Sequence, residues 1–233
     1  MKPRSLRSGH SKTRRFYKRA FWKRATGLQE ISTLGDASLQ MSEPNPAKRI
    51  LDVGCGWNKT PGAVGIDSNP KSHADVIHNL GAIPYPFPDN EFDQIVCRHV
   101  AEHVPDVMAF VTELYRIAKP HGRIIIVTPH YSNPDWATDP THRNHFNSYS
   151  FNCFVDDRQL FPFYTEVKLK PILTYVSLAN LWRALGLELL VNLDQRATGL
   201  RFTRKFWEFY LSTIFRGKEL RFEFEVLKSP STS

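Results

Sequence analysis

Three kinds of feature are scarce in this 233-residue chain, and each absence excludes something. No uncharged apolar run approaches the roughly 18–20 residues that a helical membrane span requires, so no spanning helix is expected. Cysteine occurs only at Cys55, Cys97 and Cys153. These make neither an even disulfide set nor a metal-ligand spacing, which points to a reducing compartment and to thiols used as small core residues. Acidic residues are missing from residues 1–24, where ten Lys or Arg lie. That basic start has no apolar h-region, which predicts no secretory signal and hence a cytoplasmic protein.

What is present argues for a folded chain. Aromatics make up 12% of the sequence and prolines number 16, as in a globular domain with many loops. The length suffices for one sizeable core. The net charge of +8 is misleading as an average, because residues 25–233 carry 21 basic and 23 acidic side chains. The excess therefore belongs to an arm and linker over residues 1–45, ahead of a near-neutral body over 46–233. Within the arm, Phe16, Tyr17, Phe21 and Trp22 alternate with Arg15, Lys18, Arg19, Lys23 and Arg24. Helical spacing would put Phe16, Tyr17, Ala20 and Phe21 on one side and bases on the other. Three roles stand open for it: a solvated tail, an anchor to anionic lipid or another polyanionic surface, and nucleic-acid contact by phosphate neutralisation and base stacking. A near-neutral body with no recognised RNA-binding module weighs against a nucleic-acid substrate.

Apolar patterning predicts strands over 48–53, 63–67, 74–77, 92–98, 123–128, about 166–170 and 220–227. Helices are expected over 106–118, with Asp106 as N-cap, and around 148–157. Residues 176–218 read as a helical insertion rich in Leu, Trp and Phe. Its apolar face would pack on the sheet, form a dimer surface or cover an apolar acceptor.

The most informative stretch is Leu51-Asp52-Val53-Gly54-Cys55-Gly56, followed by Gly65-Ile66-Asp67. It reads as a strand, a glycine turn, then a second strand ending in a carboxylate. The glycines admit positive φ and close approach of a ligand. The carboxylate is placed to take both hydroxyls of a ribose. The third glycine of the dinucleotide fingerprint is missing, and the run carries an acid, Asp52. A nucleoside with a cationic tail suits that acid better than a pyrophosphate does. Only about ten residues join the two strands, too few for an ordinary helical crossover.

These residues resemble motif I and the ribose acid of class I S-adenosylmethionine-dependent methyltransferases, closest to the broad type 11 group. Three further segments are similar in the same order: Pro84 to Asp93, His99 to Val104, and Leu114 to Arg123 with its Lys119-Pro120-His121-Gly122 turn. The resemblance covers roughly residues 48–160. It implies an α/β, Rossmann-like, doubly wound sheet of seven strands, mostly parallel, here with a shortened first crossover. It implies S-adenosyl-L-methionine as cofactor. Asp52, Gly54, Cys55 and Gly56 would line its methionine and ribose portion, Asp67 would bind the ribose hydroxyls, and Ser68 would lie by the adenine. Asn79 and Leu80 stand where the family often has Asp-Leu beside the adenine amino group. Arg98 and His99 leave the fourth strand at its ligand-binding edge, with His99 near the methionine.

After the fifth strand come Thr128-Pro129-His130-Tyr131 and Asp139-Pro140-Thr141-His142. His130 and His142, with Asp139 as an orienting partner, are the candidates for an acceptor base or clamp; a plain polar loop is the alternative. His130, His142 and His145 are also a conceivable metal set, but no spacing fixes a geometry and no metal is assigned. His99 and His103 would share a helix face. The expected function is methyl transfer to a small or lipid-like acceptor. The alternatives are an RNA or nucleotide methyltransferase guided by residues 1–24, and a catalytically silent cofactor-binding scaffold.

Overall fold

The structure is a computed structural model, described here for residues 48–156, 162–195 and 200–228. The whole arm and linker reading over residues 1–45, with its aromatic and basic residues, lies outside the described residues.

Seven strands form one sheet in the order β3-β2-β1-β4-β5-β7-β6. They are β1 (Ile50–Val53), β2 (Val64–Asp67), β3 (Val76–Ile77), β4 (Phe92–Arg98), β5 (Ala118–Pro129), β6 (Leu169–Leu178) and β7 (Gly217–Val226). The first five pair in parallel; β7 runs antiparallel to both β5 and β6. The central strands are covered on both faces, which is why they read as apolar runs rather than alternations. Leu51, Val53, Ile95, Cys97, Ile124 and Ile126 are all wholly buried. On β7, Leu220, Phe222, Phe224 and Val226 form the alternating buried set.

Helix α1 (Val107–Ile117) buries Phe110, Val111, Leu114 and Ile117. Asp106 caps it by accepting from Ala109 N at 3.0 Å. The same helix pins the proline-rich loop before β4. Buried Glu113 accepts from Tyr85 N at 2.7 Å, and Arg116 reaches Phe87 O at 2.9 Å while bridging to Glu113. The Lys119–Gly122 turn is absorbed into β5 as an irregularity: Phe92 pairs with Ala118, then Gln94 with Arg123. His121 takes φ +60° there. The strand thus begins five residues before the predicted 123.

Two expectations are corrected. Over 148–156, the described part of the predicted 148–157 helix, there is no α-helix; Asn152–Phe154 forms one 3-10 turn. Asn147 and Ser150 side chains take the local backbone donors Tyr149 N and Asn147 N, which competes with a helix. The strand predicted near 166–170 instead runs Leu169–Leu178. Pro171 hid it, yet β6 is an edge strand, where the register shifts between Pro171 and Leu173.

Between β6 and β7 the chain makes short helices α2 (Asn180–Ala184), α3 (Leu187–Val191) and α4 (Arg201–Phe206), the last running into a π turn at Trp207–Leu211. Val191 and Trp207 pack into the core, whereas Leu181, Leu185, Phe202, Phe209 and Tyr210 are exposed. Among the described residues, no helix is long and apolar enough to cross a membrane.

Candidate functional site

The C-terminal ends of β1, β2 and β4 open onto a cleft of about 500 Å³. Gly54, Asp67, Ser68, Asn79, Leu80 and His99 line it, together with Gly81, Val100, His103, Val104, Pro105 and Arg143. Ligands enter open α/β sheets at such an edge, where strand order reverses; here that is between β1 and β4.

The crossover from β1 to β2 contains no helix, only turns over residues 54–63. A network of side chains holds it instead. Asp52, 1% exposed, accepts from Thr60 N at 2.7 Å, Thr60 Oγ1 at 2.8 Å and Arg98 Nη2 at 2.6 Å. Arg98 also donates to Asn58 O at 3.2 Å. Asp52 and Arg98 therefore brace the crossover and do not line the cleft. Cys55 is buried too, its thiol pushed up to about 11 by burial first and then by the charges of Asp52 and Asp67. It stays protonated at neutral pH and its side chain packs against Gly65.

The glycines differ in what they do. Gly54 has φ +66°, and a Cβ on it would stand 2.1 Å from Val100 Cγ2 and 3.6 Å from Leu80 Cδ1. Both neighbours line the cleft, so the missing side chain keeps its floor closed against β1. Gly56 has φ +51° with open space where a Cβ would go, so only the backbone angle requires glycine. Its N–H donates to Asp67 Oδ2 at 2.7 Å, and Asn69 N donates to Oδ1 at 2.8 Å. A carboxylate offers about four acceptor positions, so each Asp67 oxygen keeps a lone pair for a ligand hydroxyl. Across the cleft, Ser68 Oγ accepts from Leu80 N at 3.0 Å, tying the residue after β2 to the segment after β3. Asn79 Oδ1 accepts from Gly81 N at 3.0 Å, a local turn that leaves its amide nitrogen unengaged by that bond.

His99, directly after β4, has φ +55° and donates its backbone N–H to Val127 O at 2.8 Å. A non-glycine residue in this region carries strain of about 1–3 kcal/mol, which concentrates at functional positions. Residues 99–103 form a turn, not the expected helix face. His103 nevertheless faces the same cleft as His99.

The candidates after β5 are dispersed. His130 is wholly buried. Its Nε2 lies 2.8 Å from Glu208 Oε1 and its Nδ1 2.8 Å from Ser132 Oγ. Glu208 Oε2 accepts from Ser148 Oγ at 2.6 Å, and Tyr131 OH lies 2.6 Å from Ser212 Oγ. The group is a buried tie between the loop after β5 and the insertion, away from the cleft lining. Asp139 accepts from Thr141 N at 2.9 Å and Thr141 Oγ1 at 2.6 Å, bonds that lower its pKa. Thr141 Oγ1 lies 2.9 Å from His103 Nδ1, and the His142 ring packs on that of His103 at 4.6 Å. Asp139 and His142 thus stand behind His103. His145 is elsewhere, stacked on Trp136 at 3.6 Å. The sequence reading paired His103 with His99 and assigned no role to Arg143 or Glu102; backbone and side-chain bonds that seat residues 141–144 on the 101–104 turn bring them together.

A family profile described as a methyltransferase domain matches residues 51–126. Residues 51–126 are thus similar to a methyltransferase domain, in line with the class I, type 11-like resemblance of the sequence. That stretch supplies β1 through most of β5 and nearly all of the cleft. Curated relatives agree. Tocopherol O-methyltransferase of Arabidopsis thaliana is 34% identical over 109 residues, 37% of this chain and 31% of its own length. An uncharacterized methyltransferase, YcgJ of Bacillus subtilis, is 30% identical over 131 residues, 47% of this chain and 51% of its own. Demethylmenaquinone methyltransferase of Anoxybacillus flavithermus is 40% identical over 53 residues, 23% of this chain and 22% of its own. The chain thus spans about half or less of each relative. The solved structure of the Bacillus YcgJ protein aligns over 78% of this chain and 93% of its own, at 17% identity and a TM-score of 0.47. S-adenosylmethionine is the cofactor of such methyltransferase domains, and the cleft fits it. The floor that Gly54 keeps close and the lone pairs left on Asp67 are what a nucleoside needs.

Proposed function

We propose that this protein transfers the methyl group of S-adenosylmethionine to a lipid-like acceptor. The observation that carries the cofactor half is the meeting of Gly54, Asp67 and Asn79–Leu80 around one cleft at the sheet's C-terminal edge. In this reading Asp67 takes the ribose hydroxyls, while Ser68, Asn79 and Leu80 flank the adenine. His99 and the Gly54 backbone lie at the methionine end. When bound, the cofactor supplies an electrophilic methyl carbon. The protein's part is chiefly alignment of the acceptor with that carbon, worth much of the rate by proximity alone.

The acceptor half rests on two supports. Tocopherol and demethylmenaquinone, named for the relatives, are lipid-like. The insertion presents exposed Leu181, Leu185, Phe202, Phe209 and Tyr210, and Glu208 within it binds His130 straight after β5. An apolar surface is therefore fastened to the acceptor side. His142 and Asp139 enter as residues that orient His103, and His130 as part of that fastening. A nucleic-acid acceptor guided by residues 1–24 is the competing reading.

The test is methyl transfer from labelled S-adenosylmethionine to prenylated phenols and quinols in detergent, beside total RNA. Label in the organic phase, lost in Asp67→Ala, supports the proposal. Label in RNA alone overturns the acceptor, and label in neither overturns the activity.

A further inference from the structure

We infer that Glu102, His103 and His142 form a binding site for a divalent transition-metal ion at the side of the cleft. One ring nitrogen of each histidine and one carboxylate oxygen all lie within 4.8 Å of one another. Two histidines and a carboxylate are a donor set suited to zinc or iron-like ions.

The hydrogen bonds around the cluster prepare both rings. His142 Nδ1 is 2.8 Å from the Trp136 carbonyl oxygen, which only accepts, so the ring donates from Nδ1. Thr141 Oγ1 gives its single proton to Asp139 at 2.6 Å, so it accepts from His103 Nδ1 at 2.9 Å. Each neutral ring is thereby left with its lone pair on Nε2. Carbonyl or carboxylate support behind the far nitrogen is how metal-binding histidines are oriented.

Glu102 supplies a second, independent observation. The residue is wholly buried, and while Oε2 accepts from Thr128 Oγ1 at 3.0 Å, Oε1 has no hydrogen bond. His99 Nδ1 lies 3.3 Å from that oxygen, as a cation only when protonated. A buried carboxylate oxygen that accepts no hydrogen bond is costly, and a cation relieves it. The frame is also rigid: Arg143 N and Asn144 N both donate to Glu102 O, at 2.8 and 3.1 Å, which holds His142 against His103. Three protein ligands leave a position open. Because His103 lines the cleft, that position adjoins the place where an acceptor oxygen would sit.

The site does not depend on the cofactor reading. The experiment titrates Zn²⁺ and Co²⁺ into the chelator-treated full chain by calorimetry, following the visible bands of Co²⁺. S-adenosylhomocysteine binding and the thermal midpoint are measured on the same samples. One equivalent of tight binding is expected, weakened about 100-fold or more in His142→Ala and about tenfold in Thr141→Val, which removes the hydroxyl joining His103 to Asp139 and leaves all three ligands in place. No stoichiometric binding by the unaltered chain overturns the inference whatever the variants do. Equal binding by folded His142→Ala overturns it as well, since the metal is then held elsewhere. Loss of S-adenosylhomocysteine binding with metal binding intact would count against the cofactor alone.

Discussion

The two sides of the cleft are built by different means. On the side assigned to the nucleoside under the proposal, Gly54, Asp67, Ser68 and His99 each sit within one residue of a strand end. Backbone angle and strand geometry set their positions. On the side assigned to the acceptor under the proposal, His103, His142 and Arg143 are brought together by bonds between loops far apart in the chain, such as Thr141 to His103, 38 positions apart. Local pattern fixes the first kind of site, and long-range side-chain pairing fixes the second. Variants should therefore fail differently on the two sides.

The largest effect is expected far from the cofactor. Glu208→Ala leaves His130 and Ser148 buried without their partner, which should cost about 3 kcal/mol or more of folding stability. Denaturant unfolding would show it, while the folded fraction keeps its S-adenosylhomocysteine affinity. A stable Glu208→Ala protein with lost turnover would instead make the His130 group catalytic.

Next comes Asp67→Ala, which should weaken cofactor binding by about 1–3 kcal/mol, the scale of a charge-assisted buried hydrogen bond. Calorimetry reads it directly, with stability changed less. The paired glycine variants sharpen the point. Gly54→Ala meets Val100 as well as an unfavourable φ, whereas Gly56→Ala meets only the φ cost of about 1–2 kcal/mol. Shortening Val100 to Ala should therefore recover part of the Gly54→Ala loss and none of the Gly56→Ala loss. Equal rescue of both would mean that packing is not what distinguishes them.

The smallest effect is in acid. Asp75 accepts from Lys59 at 2.8 Å and from Gly65 N at 2.7 Å, and these bonds hold its pKa below the ordinary 3.8. The unfolded chain binds the proton first, so this contribution is complete above about pH 4 and fades as pH falls through the folded value. With Asp75 half-exposed the effect is modest. Asp75→Asn should flatten the acid limb of the stability profile there, and an unchanged limb would remove Asp75 from the account.

The same division explains what could be read in advance. The strand positions, the shortened first crossover and α1 with its Asp106 cap follow from apolar period and from glycine and proline placement, whereas the mostly parallel seven-stranded sheet followed from the family resemblance. Asp67 and Gly54 were legible because a glycine turn and a strand-end acid are local signals. Asp52 and Arg98 were not, since nothing in the sequence shows that an acid on β1 and an arginine ending β4 satisfy each other through Thr60. His130 followed the fifth strand as an acceptor residue would, but its partner, Glu208, is 78 positions away. Pro171 concealed the length of β6, because a proline counts against a strand until the strand is known to lie at an edge.

The most direct test of the central claim is calorimetric titration of S-adenosylmethionine and S-adenosylhomocysteine into the purified chain and its Asp67→Ala variant, with NAD as control. The account predicts saturable one-to-one binding of the first two, marked weakening in the variant and no heat from NAD. Failure of the unaltered, folded chain to bind either ligand would contradict it.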